Sequence, residues 1–149
     1  MVRVTGQRFS LNMISAISPR GQLRFMVVRG GVNASVFVDF LKRLVHGQRR
    51  PIYLIVDGHP AHRAKKVKEY VEQLQGKLRL FFLPSYSPEL NPDELVWNDV
   101  KNNGVGRSLV YGPADLMRVV LGHLRHLQKC PEIIRSFFQH PNTRYAAST

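Results

Sequence analysis

Alternating and helical patterns of hydrophobic residues predict a β-hairpin followed by an amphipathic helix in the first third of the chain. Two β-rich runs, residues 8–18 and 22–28, flank the letters SPRG. In that turn Pro19 suits the second position and Gly21 the fourth. Asn33 is placed to cap a helix whose apolar residues recur at helical spacing and which ends near Gly47.

The middle of the chain predicts strand, helix, strand and helix in that order. Residues 52–57 form a run that is apolar on both faces, which is typical of a central strand covered by helices on each side. Residues 62–75 carry one apolar stripe and one charged face, and residues 78–83 form a second strand that is closed by Pro84. The loop after it leads into a helix that starts near Asn91. A right-handed crossover makes the two strands parallel, so that both end at one edge of the sheet.

The C-terminal third predicts helices. Residues 102–113 have the composition of a loop, and helical spacing of apolar residues marks 114–128 and 131–139. The predicted fold class is α/β, with a mixed sheet, flanking helices and a helical tail. We expect one domain over residues 1–149, on which the tail, residues 112–140, packs.

Charge narrows the function classes. The chain has 22 Lys and Arg against 10 Asp and Glu, a formal net charge of +12, which favours polyanionic partners and nucleic acid first. A ribosome-like structural protein or a merely soluble basic surface are the alternatives. The apolar runs are too short to span a membrane, no signal peptide pattern precedes them, and no helix pairs a basic face with an aromatic one. We therefore expect a cytoplasmic, nucleoid-associated protein without a membrane partner. The single cysteine, Cys130, cannot form an internal disulfide, and its apolar helical context predicts a buried structural thiol.

Two acidic residues follow the predicted parallel strands. Asp57 ends the first strand, and Glu94 lies shortly after the second. The predicted topology brings both to one edge of the sheet, where a pair of carboxylates suits Mg²⁺ together with substrate phosphates. Each acid also has a structural alternative: Asp57 can cap the following helix, and Glu94 can form a capping box with Asn91 and Pro92.

Zinc is a second metal hypothesis. Asp57, His59 and His62 have suitable spacing, but no other cluster of His or Cys supplies the remaining ligands, and Cys130 is remote in sequence. His62 has three possible roles: contacting a phosphate, orienting Asp57, or filling a purely structural place.

Two motifs together resemble a known family. The letters LIVDGHPAHRAKKVKEYV and then LFFLPSYSPELNPDELVWNDVK resemble the catalytic domain of DDE transposases from bacterial insertion sequences related to mariner elements. The resemblance implies a ribonuclease-H-like fold, Mg²⁺ or Mn²⁺ as cofactor, and metal-dependent DNA cleavage and strand transfer in DNA transposition. It also implies that Asp57 is the second metal-binding acid and Glu94 the third. Element ends and target DNA would be the partners, and synapsis of two ends implies a homo-oligomer.

The chain departs from this family at its first acid. The family's first Asp lies in the opening strand of the sheet, but no Asp or Glu precedes Asp39, which falls inside the predicted helix. We therefore expect an N-terminally truncated domain that lacks the first strand and the upstream DNA-binding region. A polypeptide from an upstream reading frame could supply that strand. Two acids hold a metal less firmly than three, so we expect the chain alone to cleave poorly or not at all.

Several residues near the two acids are candidate DNA contacts. The start of the helix after Asp57 is basic, and its alternative is a solvated helix face. Tyr86 and Asn91 flank Glu94 and are placed to position a frayed strand end, whereas the spacing of Trp97 predicts a core position. The candidate DNA-binding residues are His62, Arg63, Lys65, Lys66, Lys68, Tyr86, Asn91 and Lys101. Nothing suggests base-specific readout.

Three functions remain open on the sequence. The first is a transposase catalytic domain, and the second is a DNA-binding or regulatory remnant of a transposase without catalysis. The third, a repair or recombination nuclease of the same fold, is disfavoured by the Ser-Pro-x-Leu-Asn-Pro block.

Overall fold

The computed structural model describes residues 2–3, 10–84, 87–107 and 111–147. The chain divides into two compact units, of which the first joins Met1–Gly31 with Pro92–Thr149 and the second is Val32–Asn91. The strands are β1 (Val2–Arg3), β2 (Ser10–Ile17), β3 (Leu23–Val28), β4 (Ile52–Val56) and β5 (Leu78–Phe82). The α-helices are α1 (Ala34–Val45), α2 (Lys65–Gln73), α3 (Asp93–Asp99), α4 (Pro113–Gln128) and α5 (Pro131–Ser136).

The first unit contains an antiparallel sheet in the order β1-β2-β3. The predicted hairpin between β2 and β3 is confirmed, with Ile17 paired to Leu23 next to the turn. The N–H of Gly21 donates to the carbonyl of Ser18 at 3.0 Å, and Gly21 has a φ of +95°. Glycine suits this backbone because it has no Cβ to clash at positive φ.

Helix α4 provides much of the hydrophobic core of this unit. Its fully buried residues recur at helical spacing, as the sequence predicted, and the helix packs on β2 and β3. Val96 and Val100 are fully buried in the same cluster, and Trp97 packs against it, so the predicted core position of Trp97 is confirmed. The buried residues of α4 are Leu116, Val120, Leu124 and Leu127.

The predicted loop after Lys101 is wrong over the residues that the structure describes there. Helix α3 continues as a π-helix, Val100–Gly104, and then as a 3₁₀ helix, Val105–Arg107. Val100 and Val105 are buried in the core cluster, so packing overrides a composition that favours turns. Gly104 lies so close to His123 that an added Cβ would be 3.0 Å from its ring.

The last helix of the tail is shorter than predicted. Helix α5 ends at Ser136 instead of 139, although Phe137 and Phe138 after it are buried. The hydroxyl of Thr143 donates to the carbonyl of Phe137 at 2.7 Å, which holds the turn that follows the helix.

Cys130 is partly exposed, so the predicted buried thiol is wrong. It lies at the junction between α4 and α5, outside both helices, and its sulfur is 3.9 Å from Nε2 of His126.

In the second unit, α2 packs on β5 of a parallel pair of strands, and α1 packs on α2. Asn33 caps α1 as predicted, since its side-chain oxygen accepts a hydrogen bond from the N–H of Val36 at 2.9 Å. Strands β4 and β5 are parallel and in register from Ile52 opposite Leu78 onward, which confirms the predicted parallel pairing. Helix α2 begins at Lys65, not at 62, because a 3₁₀ helix, Pro60–Arg63, precedes it.

The predicted coverage of the central strand on both faces is wrong. Val56 and Leu78 are buried on one face, but Tyr53 and Phe81 on the other are exposed. The single mixed sheet expected from the sequence is replaced by a three-stranded antiparallel sheet and a two-stranded parallel sheet. A single sheet needs a strand that pairs with members of both groups, and none of the described strands does so.

Within the described part of the chain, no helix combines the length and the apolar character needed to cross a membrane.

Candidate functional site

The first candidate acid, Asp57, directly follows the last residue of β4 in the second unit. The carbonyl of Val56 accepts a hydrogen bond from the N–H of Leu83 at 2.8 Å, which holds the ends of β4 and β5 together. Ligands of α/β sheets bind beyond such carboxyl ends of strands. The side chain of Asp57 is 49% exposed, so a ligand can reach its carboxylate from solvent.

Two groups on the following turn hold the carboxylate of Asp57. Its Oδ1 accepts a hydrogen bond from the N–H of His59 at 3.0 Å, and Nδ1 of His62 lies 3.0 Å from the same oxygen. Nδ1 of His62 is also 3.2 Å from the main-chain carbonyl of Asp57. Both neighbours of this nitrogen are acceptors, so Nδ1 carries the hydrogen. For Oδ2, the described residues offer no hydrogen-bond partner.

These contacts determine the charge of Asp57. The hydrogen bond from His62 is the largest influence and lowers the pKa of the carboxyl below its ordinary value. Partial burial opposes this change, whereas the main-chain N–H of His59 and the electrostatic influence of both histidines add to it. The carboxylate is therefore ionised at neutral pH, the state that a metal ligand requires.

The ring of His62 is held from two sides. Its centroid lies 4.3 Å from that of the buried Phe37 ring and 5.4 Å from that of the His59 ring, and the main-chain N–H of the same residue donates to the carbonyl of His59 at 2.9 Å. The His62 side chain is only 16% exposed. The imidazole therefore meets Asp57 in a fixed orientation, and this contact supports the role of His62 in orienting the acid.

The zinc hypothesis is not supported by this geometry. Nδ1 of His59 already accepts a hydrogen bond from the N–H of Ala61 at 3.1 Å. Among the described residues, no group of three or more His, Cys, Asp or Glu side chains could hold a metal ion.

Basic residues surround the same turn. The guanidinium of Arg63 lies 4.3 Å from the ring centroid of Phe82, a cation–π contact that positions it beside β5. The amine of Lys66 donates to the hydroxyl of Ser35 at 2.9 Å, and that of Lys65 is 3.9 Å from Glu69. Lys68 is exposed. A polyanion beside Asp57 would therefore meet several cations on one short segment.

The second candidate acid, Glu94, is the second residue of α3 and belongs to the first unit. The helix begins at Asp93 with Pro92 at its N-cap, one residue later than the capping-box hypothesis placed it. The hydroxyl of Ser15 in β2 donates to both oxygens of Asp93, at 2.7 and 2.8 Å. This contact ties the start of α3, and with it Glu94, to the hairpin.

The structure brings together some of the predicted site residues. Asp57, His62 and Arg63 are neighbours in the second unit, and Asn91 closes that unit with its N–H bonded to the carbonyl of Pro88. Glu94 and the exposed Lys101 belong to the first unit. That the carboxylates of Asp57 and Glu94 lie together at one edge of a sheet remains a prediction. Tyr86 lies outside the described residues.

One polar cluster gave no sequence signal. A carboxylate oxygen of Asp99, at the end of α3, is within hydrogen-bond distance of Nε2 of His123 on α4. The other oxygen accepts a hydrogen bond from the side chain of Asn103 at 2.8 Å. The two helices are far apart in sequence, so no local motif could have paired these residues.

Comparison with known proteins identifies the class. A family model described as DDE superfamily endonuclease matches residues 1–109, and this match includes both motifs and both candidate acids. The chain belongs to this family. DDE superfamily enzymes typically use divalent metals, and the family implies that DNA is the substrate. No curated protein gives a match.

Proposed function

We propose that the chain is the catalytic domain of a transposase of a mariner-related insertion sequence, which cleaves and transfers DNA strands with Mg²⁺ or Mn²⁺. The observation that carries this proposal is the state of Asp57. Its carboxylate lies at the end of a parallel strand, is ionised, and is fixed by His62. We infer that this acid is a metal ligand, because the chain belongs to the DDE superfamily endonuclease family, whose enzymes typically use divalent metals.

The residues present fit a hard divalent cation. Mg²⁺ takes oxygen ligands and commonly binds through one or two carboxylates, completed by water and substrate phosphates. Oδ1 of Asp57 accepts the hydrogen bonds from the histidine turn, and Oδ2 has no hydrogen-bond partner among the described residues. In the proposal, Asp57 and Glu94 hold the cation, which when bound activates the attacking hydroxyl and stabilises the leaving oxygen.

The other candidate residues position the DNA. Arg63, held on the ring of Phe82, and the nearby lysines would contact phosphates by charge, independently of base sequence. Lys101, in the first unit, would contact a phosphate in the same way, and Tyr86 and Asn91 would position a frayed strand end.

Metal binding is expected to be weak. Two acids from the motifs provide fewer oxygen ligands than three, so substrate phosphates and water must complete the coordination. We therefore expect slow cleavage by this chain alone and a requirement for a homo-oligomer, or for a further polypeptide, in strand transfer.

Mn²⁺ titration followed by electron paramagnetic resonance tests the proposal. Asp57→Asn and Glu94→Gln should each weaken Mn²⁺ binding by at least about tenfold, because each removes a charged oxygen ligand. Glu132→Gln is the matched control, since it removes an exposed carboxylate from α5 and should leave the affinity unchanged.

The same variants distinguish catalysis from a structural role. If Asp57 and Glu94 have only a structural role, both variants lose about 1 kcal/mol of unfolding free energy, the usual net contribution of a hydrogen bond, and keep wild-type Mn²⁺ affinity. That result would refute the metal site. It would favour the alternative of a DNA-binding remnant if the chain still binds DNA with a steep salt dependence.

A further inference from the structure

The outer face of the β4–β5 sheet exposes aromatic side chains. Tyr53 is 65% exposed, Phe81 is 51% exposed, and Ile55 between them is 37% exposed. The ring centroids of Tyr53 and Phe81 are 6.2 Å apart. Exposed hydrophobic patches of this kind mark binding sites more often than chance positions do.

An arginine belongs to the same face. In the parallel register Tyr53 is opposite Arg79, and Ile55 is opposite Phe81. Side chains of paired residues point to the same side of a sheet, and residues two apart on one strand do the same. We call this surface, made of Tyr53, Ile55, Arg79 and Phe81, the aromatic face.

The segments around the aromatic face carry only positive charge. Residues 40–56 and 73–88, which contain both strands, include no Asp or Glu. Arg49, Arg50, Lys77 and Arg79 are exposed, and within the described residues none of them has an ion-pair partner. A ligand that complements this surface would therefore carry negative charge.

These properties select among possible occupants. A second copy of the chain bound face to face would bring unpaired cations against unpaired cations, which is unfavourable. Exposed aromatic rings beside unpaired cations are the combination that binds single strands of nucleic acid, because bases stack on the rings while phosphates meet the charges.

We propose that the aromatic face binds single-stranded DNA, with one base stacked on Tyr53 and another on Phe81, and with Arg79 on the phosphate between or beside them. This inference goes beyond the proposed function, because it requires neither Asp57 nor a metal. Tyr53 lies near the start of β4, at the opposite end of the strand from Asp57.

Fluorescence anisotropy of the full chain with a labelled oligothymidylate, in EDTA, tests the proposal. Tyr53→Ala and Phe81→Ala should each weaken binding by about 5- to 150-fold, the range measured for loss of one stacking ring. Tyr111→Ala is the matched control, since it removes an exposed tyrosine from the first unit and should have no effect. Arg79→Gln should reduce the slope of log affinity against log salt by about 0.7.

A tryptophan variant avoids any folding defect of the alanine variants. In Phe81→Trp, the added tryptophan fluorescence should be quenched by oligothymidylate beyond the quenching of the wild-type chain. Unchanged affinity of both alanine variants, or no added quenching, would overturn the proposal. If the alanine variants lose a dimer that the wild-type chain forms and still bind oligothymidylate unchanged, the face binds a protein partner, and the proposal is overturned.

The test is separate from that of the metal site. The titration in EDTA contains no free divalent cation, so a loss of oligothymidylate affinity in Tyr53→Ala or Phe81→Ala does not depend on Mn²⁺ binding by Asp57. Failure of the transposase proposal would therefore leave the oligothymidylate result interpretable, and the reverse is also true.

Discussion

Replacing His62 in two complementary ways separates its effect on Asp57 from its effect on stability. Asn keeps a side-chain N–H close to the position of Nδ1 but lacks the ring. Phe keeps a ring that can pack on Phe37 but lacks the donor. The structure contains both contacts, since the imidazole meets the Asp57 carboxylate at 3.0 Å and the Phe37 ring at 4.3 Å between centroids.

The two contacts have different expected magnitudes. Because Asp57 is half exposed, the ion pair should contribute no more than about 0.5–1 kcal/mol after screening by solvent. The contact between the rings should contribute about 0.5–1.5 kcal/mol, because Phe37 is fully buried there. We expect His62→Asn to lose mainly the second contribution and His62→Phe mainly the first.

Urea denaturation and carbon NMR titration of the Asp57 carboxyl measure the two effects. In His62→Phe the pKa of Asp57 should rise toward its ordinary value, because the largest influence that lowers it is gone. In His62→Asn the pKa should stay low while the free energy of unfolding falls. A low pKa of Asp57 in His62→Phe would refute the proposed orienting role.

Two further predictions concern acid pH and the hairpin turn. The pKa of Asp57 is lowered in the folded chain, so its stabilising contribution is complete above the unfolded value of 3.8 and is lost as pH falls through the folded value. Asp57→Asn should therefore show a smaller fall in unfolding free energy than the wild-type chain between about pH 5 and pH 2, measured in urea. Gly21→Ala should cost about 2–5 kcal/mol, because φ is +95° and the new Cβ would lie 2.7 Å from the Pro131 carbonyl oxygen. Gly47 has a φ of +73°, but no described atom lies within 4 Å of an added Cβ there, so Gly47→Ala measures the backbone strain alone. Thermal unfolding should therefore show a larger loss of stability for Gly21→Ala than for Gly47→Ala. Equal losses would contradict the predicted clash with Pro131.

Local features of the fold could be predicted because their causes lie within a few residues. The turn at Gly21 and the Asn33 cap follow from backbone conformation and hydrogen bonds between near neighbours. The apolar stripe of α4 follows from helical periodicity. The two motifs were sufficient to indicate the DDE family, to which the match over residues 1–109 assigns the chain.

Features that depend on distant residues could not be predicted in this way. The helical continuation through Val105 depends on burial against α4, which overrides a composition typical of loops. The exposure of Tyr53 also escaped prediction, because an apolar strand has the same pattern whether one face is covered or both.

The sequence by itself determined the periodic elements, the excess of positive charge and the two acidic motifs, since each is a property of residue order. The tertiary structure alone decided that His62 holds Asp57, because the imidazole is oriented by Phe37, a residue from a different helix. It also decided which face of β4 remains exposed. The physical reason is that spacing along the chain fixes local conformation, whereas burial and hydrogen-bond partners depend on which distant segments pack together.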